Sequence, residues 1–375
     1  MSVIKKSEVY DKNLNFLLGS GASVGLLPTL NLALKQGETD NWHSVETLAT
    51  QFSDDPDVMA HLFSWYVKNV ILPAAHYNPD HGFLFTAAQE KVVANYETFL
   101  QTILAVLAKK KNRNRANIFT TNYDGMVAHT AEKLLRTRTY DFHLNDGGSG
   151  FVKRTLDAKN FGRYFQDHGA FDRHAKNVPQ INLIQLHGSV YWYKDDDAIE
   201  ISYEIQRAAD RVDAVPCRDN ADFAAVLLDE RKSEQAITAL NLAEAAGENQ
   251  AFWSGYEALP IVNPTKWKFH ETVFEEHYYQ MLRLLSYELE KPNSVFIAFG
   301  FSFADEHILN LVKRSLSNPT LQLFVCCHSD KVHATMSDKF KGFSNVELVT
   351  VDGDLDFTAF NAEVFTSSSD ISAQT

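Results

Sequence analysis

Cysteine is scarce in this chain. Cys217, Cys326 and Cys327 are the only three in 375 residues, and no Cys-x-x-Cys pair occurs. That excludes a disulfide framework and a zinc ribbon of paired thiolates. The adjacent Cys326 and Cys327 sit in an apolar run and read as core thiols. Long apolar runs are missing as well: nothing approaches the roughly 18 apolar residues that a membrane span needs. The opening MSVIKKSEVYDKN lacks the apolar centre of a secretory leader. These absences lead to the expectation of a cytoplasmic, reducing location without membrane contact. Positive charge is also in deficit, with 35 Lys and Arg against 48 Asp and Glu and a formal net charge of −13. A surface of that sign repels polyanions and argues against nucleic acid as a direct ligand. The one basic cluster, Lys109, Lys110, Lys111, Arg113 and Arg115, closes a helical stretch and complements the negative end of its dipole.

What the chain does have is apolar and aromatic surface, 45% and 12% of residues, enough to outweigh the ordering entropy of a large core. Short apolar runs bounded by polar residues recur at 15–18, 117–120, 182–186, 294–299, 321–325 and 346–351. Their continuous rather than alternating character predicts strands covered on both faces. Helical spacing separates several of them, as in Phe274, Tyr278, Met281, Leu282, Leu285 and Leu289. The expected fold is therefore α/β, a Rossmann-like doubly wound parallel sheet with helical insertions and no zinc ribbon.

The hundred or so residues between the first two strands exceed a single crossover and must hold structure of their own. Within them, the stripe Val92, Val93, Tyr96, Phe99, Leu100, Ile103, Leu104 and Leu107 reads as a core-facing helix. The expected organisation is one discontinuous domain over 1–375, with core segments at about 13–42, 113–193 and 260–365. A helical insertion occupies 43–112, a second insertion with a helix-prone centre at 221–246 occupies 196–257, and 366–375 is a polar tail. Asp195-Asp196-Asp197 reads as a solvated loop rather than a cation site. Histidines such as His76 and His81 are unpaired in the sequence and offer no zinc cage.

Four polar clusters follow four of the strands. The first runs Gly19-Ser20-Gly21-Ala22-Ser23 into an apolar, helix-compatible segment, a turn in which small residues let backbone N–H groups approach a phosphate. The second is Thr120-Thr121-Asn122-Tyr123-Asp124, the third Leu186-His187-Gly188-Ser189, and the fourth Gly300-Phe301-Ser302-Phe303-Ala304-Asp305-Glu306-His307, with Asp305 a helix N-cap. Singly each has an ordinary explanation: Gly-Ser-Gly is a common tight turn, Asn a turn former, His a satisfied structural residue. Jointly they would converge on one crevice if the sheet is parallel, because each stands at the carboxyl end of its strand.

These clusters, in this order, resemble the sirtuin superfamily, and in particular the sirtuin-like proteins of bacterial antiphage defence. Gly19-Ser20-Gly21-Ala22-Ser23 is similar to the Gly-Ala-Gly-x-Ser NAD loop, Thr120 to Asp124 to Thr-Gln-Asn-x-Asp, His187-Gly188 to the catalytic His-Gly, and Gly300-Phe301-Ser302 to the Gly-Thr-Ser loop. The resemblance implies that Gly19 to Ser23 line the phosphates and that Asn122 and Asp124, with Thr121 beside them, face the nicotinamide ribose and carboxamide. It implies His187 as general base, Gly300 and Ser302 against a phosphate or the adenosine ribose, and His328 with Gly353-Asp354 near adenosine. Two departures from the deacylase pattern stand out: there is no Cys-x-x-Cys, and Leu27-Pro28-Thr29-Leu30 replaces the Phe-Arg that ends the deacylase cofactor loop.

The expected activity is that of an NAD glycohydrolase, with NAD as substrate, nicotinamide and ADP-ribose as products, and no metal. An Asn can hold water and a ribose hydroxyl, and a neutral His can accept a proton near pH 7. The alternatives are an NAD-dependent protein deacylase or ADP-ribosyltransferase and a non-catalytic module that senses NAD or ADP-ribose. By resemblance the role is that of an abortive-infection effector, and the expected partners are further copies of the chain and a HerA-type hexameric ATPase. The insertions at 43–112 and 196–257 are the expected contact surfaces.

Overall fold

The computed structural model describes residues 4, 9, 11–37, 39, 41–110, 114–168, 175–242, 246–263 and 272–366. Seven strands form the central sheet: β1 (Asn13–Leu18), β2 (Arg115–Thr120), β3 (His143–Asn145), β4 (Gln180–Gln185), β5 (Ser294–Phe299), β6 (Gln322–Cys326) and β7 (Val346–Val349). Their spatial order is β7-β6-β5-β1-β2-β4-β3, and every neighbouring pair is parallel. This is the doubly wound α/β sheet that the continuous apolar runs predict.

Burial follows the strand period. Phe16 and Leu18 enter one hydrophobic core while Leu17 enters the other, and Ile297 and Phe299 are likewise separated from Phe296 and Ala298. Helix α1 (Ala87–Lys109) covers the first face, with Phe99 edge-on to Phe16 at 5.0 Å. Helix α2 (Met126–Arg136) follows β2 and contributes Met126, Val127 and Ala131 to that same core. Helices α3 (Thr272–Glu290) and α4 (Glu306–Ser315) cover the second face, burying Met281, Leu285, Ile308 and Val312.

The register of the central strands is pinned by a buried amide ladder. Asn15, Asn117 and Asn182 are direct partners across β1, β2 and β4. Asn117 Nδ2 donates to Asn15 Oδ1 at 2.7 Å, and Asn182 Nδ2 donates to Asn117 Oδ1 at 2.8 Å. A one-residue slip would strand these amides among apolar side chains.

Several elements differ from the sequence expectation. The segment after Gly19 makes one turn of 3-10 helix, Ser20–Ser23, and no longer helix, because Gly25 adopts φ 96° and Pro28 follows. The helix-prone centre of the second insertion breaks into Ala221–Leu227 and Gln235–Thr238. Lys110 does not cap a helix dipole from solvent: it is buried and its Nζ donates to Lys12 O at 2.7 Å, while Arg115 belongs to β2 and pairs with Glu288 at 3.3 Å. Lys111 and Arg113 lie outside the described residues, as does the tail beyond Thr366. The edge strand β3 and a four-stranded antiparallel sheet (Gly148–Ser149, Thr155–Leu156, Trp192–Asp195, Ala198–Ile201) were not apparent from hydropathy. Asp196, at φ 52°, forms the turn between the last two of these strands.

The two insertions pack on each other. Asn249 Nδ2 donates to Asp57 Oδ1 at 2.8 Å, His76 Nε2 lies 2.9 Å from Asp213, and Tyr256 meets Phe63 edge-on at 5.1 Å. Cys326 and Cys327 are buried and unbridged, and burial raises both thiol pKa values. No described helix is long and apolar enough to cross a membrane.

Candidate functional site

Strand β1 is flanked by β5 on one side and β2 on the other, so the chain's winding reverses there. Parallel sheets open a crevice at such a point, outside the carboxyl ends of the strands. All four polar clusters stand at that edge: Gly19 follows β1, Thr121 follows β2, His187 comes two residues after β4, and Gly300 follows β5.

The β1 and β5 turns are fused backbone to backbone. Gly19 N–H donates to Phe299 O at 3.1 Å and Gly21 N–H to Gly300 O at 3.0 Å. A Cβ on Gly19 would lie 2.4 Å from Gly300 O, and one on Gly21 would lie 2.6 Å from Gly300 Cα. Gly300 itself has φ +65°, and a Cβ there would lie 2.6 Å from Ala22 N. The glycines thus serve this close approach, with the Gly19, Gly21 and Ala22 N–H groups engaged inside the fold. Ser20 is exposed at the mouth of the turn.

Ser23 links this turn to β2. It is buried, and its Oγ donates to Asp124 Oδ2 at 3.0 Å. With its hydrogen so placed, Ser23 Oγ accepts from Tyr96 Oη at 2.9 Å and from Asn122 Nδ2 at 3.4 Å. Asn122 is fixed from behind by its own N–H, which donates to Thr120 Oγ1 at 3.1 Å, and Thr121 N–H donates to Leu18 O at 3.2 Å. Asp124 Oδ1 accepts from Met126 N–H at the start of α2. Burial holds the Asp124 carboxyl above its usual pKa, against the opposing donors Met126, Ser23 and Asn122. Hydroxyl, amide and backbone donors surround this carboxylate, and none of its described partners is a cation.

The fourth cluster brings in His187. Its Nε2 lies 3.1 Å from Asp305 Oδ2, and the two side chains are 9% and 4% exposed. The other carboxylate oxygen, Asp305 Oδ1, caps α4 by accepting from His307 and Ile308 N–H at 2.9 and 3.2 Å. The backbone of His187 is tied down as well, Val262 N–H donating to its carbonyl at 2.9 Å. Tyr278 from α3 tilts against the imidazole with ring centroids 6.3 Å apart. The loop that carries Asp305 is conformationally forced: buried Phe303 sits at φ 51°, clamped between Phe301 and Phe340, with Lys339 Nζ on its carbonyl at 2.7 Å.

Two expected residues stand apart from this constellation. Ser302 is exposed, its Oγ accepting from Ala304 N–H at 3.3 Å and its carbonyl from Lys339. His328 follows β6, one strand further out, with a side chain 60% exposed and 3.5 Å from Asp354, so the two loosely matched adenosine positions do meet each other. Two participants escaped the sequence reading. Tyr96 was one more member of an apolar helical stripe, and Asp305 was a cap whose second oxygen had no assigned task. A cleft of about 1150 Å³ lies between α1, α2 and the turn after β3. Tyr77 in its wall feels the Asp124 charge, though neither Ser23 nor Asp124 lines the cleft.

Among the described residues no group of three His, Cys, Asp or Glu side chains is placed to hold a metal ion. No protein-family model matches the chain, and no curated protein matches it.

Proposed function

We propose that this chain binds NAD across the carboxyl edge of the sheet and hydrolyses its nicotinamide–ribose bond, yielding nicotinamide and ADP-ribose. The observation that carries this reading is the joining of four separate strand ends through Gly21–Gly300, Ser23–Asp124–Asn122 and Asp305–His187. A buried carboxylate with no cation among its described partners, beside a buried amide, is costly to the fold, and such groups cluster at sites of chemistry.

Nicotinamide departs as a neutral molecule because it starts as a pyridinium, so no acid is needed on the leaving group. In this reading Asn122 holds a ribose hydroxyl and the incoming water through its amide. His187 accepts the proton of that water. The Asp124 carboxylate faces the positive charge that develops on the ribose, in a site from which water is largely excluded. The exposed mouth at Ser20 receives the diphosphate.

Loss of cellular NAD would then be the biological output, as in the defence proteins that the sequence resembles. A hydrolase of that kind has to be gated, and we assign the gate to assembly, with further copies of the chain and a HerA-type ATPase as partners. The test is to incubate the purified protein with NAD and follow nicotinamide, with and without an acylated peptide and a chelator. Peptide-independent, chelator-resistant release supports hydrolysis. Release only with the peptide would make the chain a deacylase, and tight NAD binding without release would make it a sensing module.

A further inference from the structure

We infer that Asp305 is the positioning residue of His187, holding the imidazole at the sheet edge and compensating the positive charge that the ring acquires when it takes up a proton. The inference rests on the hydrolase reading for its kinetic consequence, but its physical content stands on geometry alone. One carboxylate does two jobs. Oδ1 is committed to the first turn of α4 through two backbone N–H groups, which fixes the plane of the carboxylate and leaves Oδ2 3.1 Å from His187 Nε2. Both side chains are almost wholly withdrawn from water, so the attraction is weakly screened.

The approach is close but falls short of hydrogen-bond geometry, and catalytic contacts of this type commonly align only when substrate is bound. Alignment requires little motion of Asp305, since the cap and the clamped Phe303 fix its backbone. Among the described residues, the other titratable groups that face the pair are Tyr278 from α3 and Tyr123 from the turn after β2. Both phenols feel the Asp305 charge, and burial pushes both pKa values well up, so they remain neutral at and around pH 7. Of these three groups, Asp305 is thus the one that carries charge beside the ring.

Asp305→Asn isolates this role, because Asn is as good an N-cap as Asp and keeps the acceptor for His307 and Ile308 while removing the charge. Asp305→Ser, also a capping residue, is the second variant. Imidazole NMR spectra follow the titration of His187, whose resonance is identified by its loss in His187→Gln. The expected result in both variants is a His187 pKa lower by about one unit or more. In the kinetics, the acid limb of kcat/KM for nicotinamide release moves to lower pH by the same amount, and the plateau falls roughly tenfold. A His187 titration unchanged from wild type overturns the inference, as does a plateau that falls while the acid limb stays in place, the signature of a merely structural cap. Failure of both variants to fold overturns it too, since the carboxylate would then serve the fold. Absence of nicotinamide release from wild-type protein would instead contradict the hydrolase reading, and the NMR titration would still decide the role of Asp305.

Discussion

Asp124 is a buried carboxylate held at the expense of stability, and the proposed reaction would use it. Its carboxyl is buried and its pKa stands above the unfolded value, so between those two values the folded chain binds more protons than the unfolded chain. Stability therefore falls as pH rises through that window and is flat above it. Asp124→Asn removes the buried charge and keeps an acceptor for Met126 N–H. The expected outcome is a Tm at pH 7 equal to or higher than that of wild type, with a smaller fall in Tm between acid and neutral pH and with nicotinamide release lost. Calorimetry and a nicotinamide assay on the same sample check both halves; a variant with lower Tm and full activity would show that Asp124 is structural. Asn122, Asp124 and His187 stood out in the sequence jointly, as polar residues closing successive apolar runs, although each has an ordinary explanation taken singly. The sequence concealed Tyr96 and Asp305 because each also satisfies an ordinary rule, an apolar stripe in one case and an N-cap in the other.

Among the elements, the apolar runs located six of the seven sheet strands, and 294–299 coincides with β5 at both ends. Strand β3 was invisible because three residues, His143–Asn145, carry too little hydropathy to register. The helix anticipated after Ser23 failed to form because Gly25 and Pro28 interrupt it, leaving backbone fusion with Gly300 as the organising feature of that turn. The Asn15–Asn117–Asn182 ladder looked like three unrelated polar interruptions in the sequence and proves to fix strand register. Asn117→Leu orphans the Asn15 carbonyl oxygen and removes an acceptor for Asn182, a cost of about 2 kcal/mol. Urea denaturation should show that loss as a lower midpoint at unchanged slope. A midpoint equal to that of wild type would mean that the ladder contributes nothing to register.

At the scale of the whole molecule, the net charge of −13 and the mutual packing of the two insertions bear on assembly. Parts of 43–112 and 196–257 are engaged with each other and, through α1, with the sheet, so a partner would meet the faces they leave exposed. If assembly is the gate, light scattering gives a mass above the 42.4 kDa of one chain, alone or with the proposed ATPase. A strict monomer that hydrolyses NAD at full rate unaided would remove the case for gating by assembly. The central claim is that four strand ends make one site, and it is tested most directly by nicotinamide release from NAD by wild-type protein beside Asn122→Ala and His187→Ala. The account predicts equimolar nicotinamide and ADP-ribose from wild type and less than about a tenth of that rate from either variant, a loss above about 1.4 kcal/mol, with both variants folded. Wild-type rates in either variant would contradict it.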